Sequence, residues 1–176
     1  MTPEQRIVVE IGPGDNPMSK KTRPEITSDR YLTLDSDRWA LSEVGSDNER
    51  IRAHMGGLPF TDSTIDEIWA MNVFGEIIIK GSSVRDYSSE HYINELSRVL
   101  KPCGKLFIGE FYWRPAHIRY LAFEDFGFEL VPYVGNDIYE FIDKMNLNLK
   151  IDADGFKKLS ATDPYFLELT KAHQSQ

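Results

Sequence analysis

The residues Glu10-Ile11-Gly12-Pro13-Gly14-Asp15-Asn16-Pro17 follow directly on a compact β-branched run, Arg6 to Ile11. A strand that empties into a turn with two glycines brings bare backbone close to a ligand, because Gly12 and Gly14 carry no Cβ and accept φ > 0. Taken alone, two such glycines are equally well just a tight turn. Asp35 closes the next short run, Tyr31 to Leu34, at the roughly 20-residue distance where a carboxylate can accept both hydroxyls of a ribose. The chemistry suggested is the holding of a nucleoside. A dinucleotide fingerprint needs a third Gly or Ala, where this chain has Pro17, and the stretch from Met18 to Arg30 has little amphipathic pattern. That argues against a nicotinamide dinucleotide, and no Gly-Lys-Ser/Thr follows the glycines to make a nucleotide-triphosphate loop.

These residues need a frame. Short apolar runs bounded by Gly, Pro and Asp predict strands at Arg6–Ile11, Tyr31–Leu34, Arg50–Met55, Asp66–Met71 and Gly104–Tyr112, with a late pair at Phe128–Val134 and Tyr165–Ala172. Tyr92, Ile93, Leu96, Val99 and Leu100 recur at three- and four-residue steps and predict a helix between the fourth and fifth strands. Asp86 or Ser88 would cap it and Pro102-Cys103-Gly104 would end it. A second helix is expected from Pro115 to Asp125. Strands alternating with helices imply one α/β domain over residues 1–176, a Rossmann-like, mostly parallel seven-stranded sheet with helices on both faces.

Composition excludes other classes. With 176 residues, 41% apolar and 12% aromatic, the chain is long enough and apolar enough for one packed core. Its net charge of −8, with no basic block, argues against nucleic acid as a partner. No apolar run approaches a bilayer span, so no membrane association is expected. The start, Met-Thr-Pro-Glu-Gln-Arg, lacks a signal-peptide pattern, and the single cysteine fits a reducing compartment; a cytoplasmic location is the expectation. No metal site is expected.

Four blocks now carry a resemblance: E-I-G-P-G-D-N-P (10–17), Y-L-T-L-D (31–35), L-P-F-T-D-S-T-I-D-E-I (58–68) and I-N-E-L-S-R-V-L-K-P-C-G-K-L-F-I (93–108). In this order and spacing the chain resembles the class I S-adenosylmethionine-dependent methyltransferases, in their small branch with a short first crossover. The resemblance implies an antiparallel last strand, a shortened N-terminus and S-adenosyl-L-methionine as cofactor. It also implies roles. Glu10 and Gly12 would bound the pocket for the methionine end, with backbone amides from Gly12 through Gly14 to Asp15 near the carboxylate or ribose edge. Asp35 would hold the ribose hydroxyls. His54 stands where the family has an acidic residue that accepts the adenine amino group, and a neutral imidazole can accept one such bond. Met55 would add a backbone amide and an apolar face, with Leu58 and Phe60 packing near the adenine; Asp62 and Asp66 read as turn and strand-entry residues.

The chain also departs from the family. The histidine that many relatives carry after strand four is missing; Asn72 or Glu76 could line the methionine end instead. The usual Lys-Pro-Gly-Gly turn is Lys101-Pro102-Cys103-Gly104, tolerable if Cys103 does not need φ > 0. Cys103 reads as a turn residue and not a nucleophile. For proton handling the candidates are Asn72, Glu76, Glu110, Tyr112 and His117. His91 reads as a surface histidine. Substrate-facing surface would come from residues 77–86, Trp113-Arg114 and residues 135–164. Ile77 to Ile79, if exposed, would be covered by a homo-oligomer mate, another partner or an apolar substrate. Two readings result: methyl transfer to a small molecule, or a cofactor-binding but non-catalytic regulatory or scaffolding protein.

Overall fold

The computed structural model describes residues 5–13, 30–44, 49–71, 73, 87–110, 120–134 and 165–173. They form seven strands, β1 (Ile7–Ile11), β2 (Arg30–Asp35), β3 (Glu49–Arg52), β4 (Ile65–Met71), β5 (Leu100–Glu110), β6 (Phe128–Val134) and β7 (Tyr165–Lys171). Three helices accompany them, α1 (Arg38–Glu43), α2 (Tyr87–Val99) and α3 (Tyr120–Asp125). The strands make one sheet in the order β3-β2-β1-β4-β5-β7-β6. β1 to β5 pair in parallel, and β7 lies antiparallel between β5 and β6. The expected seven-stranded Rossmann-like sheet with its antiparallel last strand is therefore present. Strand order reverses between β1 and β4, so the carboxyl ends of these two strands flank the crevice where open α/β sheets bind ligands.

Alternation along the strands gives the sheet two unlike faces. Val9, Ile11, Leu32, Leu34, Ile68, Ala70, Leu106, Ile108 and Leu169 join one core with Ile93, Leu96 and Val99 of α2 and Phe123 of α3. The other face carries Val8, Glu10, Tyr31, Thr33, Glu67, Trp69, Phe107 and Glu168, all buried. Carboxylates survive there because each is partnered, as burial of a charge requires. The Tyr31 hydroxyl donates to Glu10. Trp69 Nε1 and Arg6 donate to Glu67 at 2.6 and 2.8 Å, and Lys105 donates to Glu168 at 2.7 Å.

Several boundaries differ from the sequence reading. β3 stops at Arg52 instead of Met55, because β2 itself ends at Asp35 and the Ala53 N–H makes the last bond to it, on the Asp35 carbonyl at 3.0 Å. α1 is an addition, capped by Asp37, whose Oδ1 accepts the Trp39 N–H at 2.8 Å. α2 begins at Tyr87, which puts Ser88 inside it; Asp86 lies outside the described residues. The helix ends at Val99, and the Lys-Pro-Cys-Gly turn is absorbed into β5 as an irregularity where pairing jumps from Ile65–Leu100 to Glu67–Lys105. Cys103 has φ 63° there, so this position does ask for the left-handed backbone that a glycine supplies freely. Residues 115–119 of the second expected helix and residues 111–112 of the fifth expected strand lie outside the described residues.

Candidate functional site

At the carboxyl end of β1, Gly12 turns the chain with φ 65° and donates its N–H to the Leu34 carbonyl at 2.8 Å. A Cβ on Gly12 would lie 2.6 Å from Val73 Cγ2, so the turn presses backbone directly against the residue two beyond β4. Glycine is required here twice over, by conformation and by space. Gly14 and Asp15 lie outside the described residues.

Asp35 ends β2 beside this turn and is half-buried. Its Oδ1 accepts the Asp37 N–H at 2.8 Å. Among the described residues its other carboxylate oxygen has no hydrogen-bond partner. Trp39, at the start of α1, is 79% exposed.

The chain leaving β3 is tied to Asp35 through the Ala53 bond and then turns tightly. The Gly57 N–H donates to the His54 carbonyl at 2.9 Å, and the Gly56 N–H donates to His54 Nδ1 at 3.2 Å. His54 is exposed and its ring leans on Tyr92 of α2, with centroids 5.5 Å apart. Met55 is 4% exposed and belongs to the main core, with Leu58, while Phe60 packs against it half-buried.

Two residues to which the sequence reading gave no role hold this segment. Glu95 and Arg98 lie three apart on α2 and face the 58–62 strand-to-strand connection. Arg98 makes a two-pronged bond to Glu95, at 2.8 Å from Nε and 2.7 Å from Nη2. The same guanidinium donates to the carbonyls of Phe60 at 2.9 Å and Leu58 at 3.2 Å, and to Asp62 at 2.6 Å. Glu95 also accepts the Leu58 N–H at 2.8 Å. The Arg98 guanidinium holds the Glu95 carboxyl below its ordinary value, against a smaller opposing effect of burial. Arg98 in turn holds its proton more tightly, because Glu95 and then Asp62 bond it. The spacing E-x-x-R was the available signal, but it reads as a plain surface pair.

Of the other expected site residues, Glu10 and Glu110 are among those described. Glu10 is 1% exposed within β1, and its carboxylate accepts from the Tyr31 hydroxyl on the sheet face. Glu110 is the last residue of β5, paired with Tyr165 of β7. Asn72, Glu76, Tyr112, His117 and Ile77 to Ile79 lie outside the described residues. Among the described residues no group of three or more His, Cys, Asp or Glu could hold a metal ion, and no helix is long and apolar enough to cross a membrane.

No protein-family model and no curated protein matches the chain. Solved structures do. A protein bound to the Trm112 methyltransferase activator in a complex from Haloferax volcanii is 17% identical, with a TM-score of 0.67 over 99% of this chain and 86% of that one. Phosphoethanolamine N-methyltransferase 2 of Haemonchus contortus, in complex with S-adenosyl-L-methionine, is 13% identical with a TM-score of 0.64; the match covers 96% of this chain and 49% of that one. The [4+2]-cyclase SpnF is 15% identical with a TM-score of 0.62, over 96% and 74% of the two chains. The chain has the class I S-adenosylmethionine-dependent methyltransferase fold.

Proposed function

We propose that the protein is an S-adenosylmethionine-dependent methyltransferase acting on a small molecule. The observation that carries this reading is the carboxyl edge at the β1/β4 reversal. There an uncrowdable glycine turn at Gly12 and a half-committed Asp35 carboxylate lie on adjacent strands. The cradle fits the nucleoside and amino-acid parts of S-adenosylmethionine. Asp35 would take the ribose hydroxyls, Gly12 would let the methionine end pass, and the His54–Met55 segment would meet the base. Glu10 would act from behind, holding β1 to Tyr31 of β2. The cofactor would supply an already activated methyl group on its sulfonium. The chain's own part is to align the acceptor and exclude water, which together can lower a barrier by several kcal/mol. Asn72, Glu76, Glu110 and Tyr112 are the candidates for any proton removed from the acceptor. The reading includes a cytoplasmic location and no nucleic-acid partner, in keeping with the net charge of −8.

Methyl transfer does not follow from the fold, since the same fold serves a cyclase. The likeness to a protein that forms a complex with a methyltransferase activator supports a protein partner and by itself favours neither catalysis nor its absence. A second reading, without chemistry, rests on the fold serving more than methyl transfer. On that reading this chain binds the cofactor and has a regulatory or scaffolding role, alone or with a partner protein. A homo-oligomer through Ile77 to Ile79 is the other assembly proposed.

Calorimetry with S-adenosylhomocysteine tests the cofactor site. Binding in the micromolar range is expected. Asp35→Asn keeps the acceptor for the Asp37 N–H but removes the charge from the diol, and should weaken binding by about 1.5–3 kcal/mol, roughly ten- to hundredfold. Absence of binding at millimolar ligand would end both readings. Binding by a chain that turns over no acceptor, alone or with a partner, would favour the second.

A further inference from the structure

We infer that His54 reads the nucleobase as a hydrogen-bond donor, through Nε2–H to a ring nitrogen, and not as an acceptor of the base's amino group. This rests on the nucleoside reading of the edge. It is carried by the Gly56 N–H, which donates to His54 Nδ1 at 3.2 Å. A neutral imidazole has one lone-pair nitrogen and one N–H. With the lone pair of Nδ1 directed at Gly56, the proton resides on Nε2, and the ring has no second acceptor to offer. Choice of tautomer by the bond at the other nitrogen is the usual way a protein sets a histidine's role.

The ring is held where this matters. It leans on Tyr92 at 5.5 Å between centroids, and the backbone carbonyl of His54 accepts the Gly57 N–H at 2.9 Å. Gly56 is itself pressed onto α2: a Cβ there would lie 2.9 Å from Tyr92 Cε1 and 3.1 Å from the His91 ring. Downstream, the bonds of Leu58 and Phe60 to Glu95 and Arg98 close the segment. Among the described residues Nε2 has no hydrogen-bond partner, and the side chain is exposed.

The sheet places a base beside it. The Ala53 N–H on the Asp35 carbonyl sets the β3 exit next to Asp35. A ribose held by Asp35, with its 5′ side running toward Gly12, must direct its base away from β1 and toward β3, where His54 and Met55 follow. Adenine offers the amino group as a donor and N1, N3 and N7 as acceptors. A fixed N–H is complementary to one of the ring nitrogens and repels the amino hydrogens. Adenine specificity through a carboxylate acceptor is thus replaced by recognition of a ring acceptor.

The test uses calorimetry with S-adenosylhomocysteine and four analogues: the 1-deaza, 3-deaza and 7-deaza forms, and the form with purine in place of adenine, which lacks the amino group but keeps all ring nitrogens. Each is measured against the native chain and His54→Ala. One deaza analogue should bind at least tenfold more weakly to the native chain, and this difference should vanish in His54→Ala. The purine form should lose less than about threefold. Nitrogen NMR of the native chain should show the Nε2–H tautomer at His54. A His54-dependent tenfold loss with the purine form, no His54-dependent loss with any deaza form, or an Nδ1–H tautomer would each overturn the inference while leaving the cofactor site intact. Failure of the parent ligand to bind would instead remove the nucleoside reading, and this inference with it.

Discussion

The two edges of the sheet are made of similar parts and use them differently. At the amino edge the polar groups satisfy one another. Asp66 accepts the Ile7 N–H at 2.8 Å and the Lys101 ammonium at 2.9 Å. Lys171 donates to the carbonyls of Ser97, in the last turn of α2, and Leu100, the first residue of β5, both at 2.7 Å. At the carboxyl edge Asp35 keeps one oxygen and His54 one N–H without a partner among the described residues. Each edge also has a turn in left-handed backbone, Gly12 at φ 65° and Cys103 at φ 63°. Cys103 is exposed, so only the backbone conformation opposes its side chain. Gly12 faces Val73, so space opposes one as well. An edge that exists to be stable can tolerate about a kcal/mol of backbone strain. An edge that must approach a ligand cannot tolerate the extra atoms.

The largest effect that would break this contrast is expected from Gly12→Ala. Left-handed backbone costs about 1–2 kcal/mol for a residue with a Cβ, and overpacking typically about 1–3 kcal/mol more. Urea unfolding should show both, and S-adenosylhomocysteine binding should fall below detection. Adding Val73→Ala should recover the packing part and leave the conformational part. If Gly12→Ala alone costs no more than the left-handed backbone does, the two turns are equivalent and the contrast fails.

Next comes the segment between the edges. Arg98→Gln should destabilise the fold by about 1.5–3 kcal/mol, the loss expected for hydrogen bonds to a charged group. Arg98→Lys should fall between it and the native chain, because an ammonium keeps the charge but not the two-pronged geometry. The same pair gives the fold a pH dependence. Glu95 has a folded value below its unfolded one, so its contribution is full above the ordinary carboxyl range and is lost as pH falls through the lowered value. Glu95→Gln should therefore flatten the acid limb of a stability-versus-pH curve; an unchanged limb would show the pair to be idle.

The smallest effect, opposite in sign, is expected at the amino edge. Cys103→Gly should raise stability by about 0.5–1 kcal/mol, since relief of the left-handed backbone slightly exceeds the added freedom of the unfolded chain. In a chain of this size that is a rise of about 1–4 °C in Tm. A fall in Tm would mean that the thiol makes a contact worth more than the strain.

Much of the frame was legible before the structure. β1, β2, β4 and β5 announce themselves by β-branched and aromatic runs, and α2 by its three- and four-residue steps, because burial of one face forces a period on the sequence. Asp35 was legible for the same reason, as the first polar residue after a buried run. The Glu95–Arg98 hold on the loop was not. Its partners, Leu58 and Phe60, stand far away in sequence, and nothing in E-x-x-R distinguishes a clamp from a solvated pair. Nor was the direction of Glu10, which the alternation of β1 assigns to a sheet face but which only the neighbouring strand supplies with Tyr31.

Residue types and their spacing determined the kind of sheet, the strand that ends in glycine and the carboxylate that ends the next one. These follow from local chain geometry and from the period of burial, which a linear sequence records. The tertiary structure alone decided which oxygen of Asp35 is left over, which nitrogen of His54 carries the proton, and that Cys103 sits in backbone made for glycine. Each of those depends on where one particular N–H, carbonyl or ring from elsewhere in the chain arrives, and a hydrogen bond is made or lost within a few tenths of an ångström.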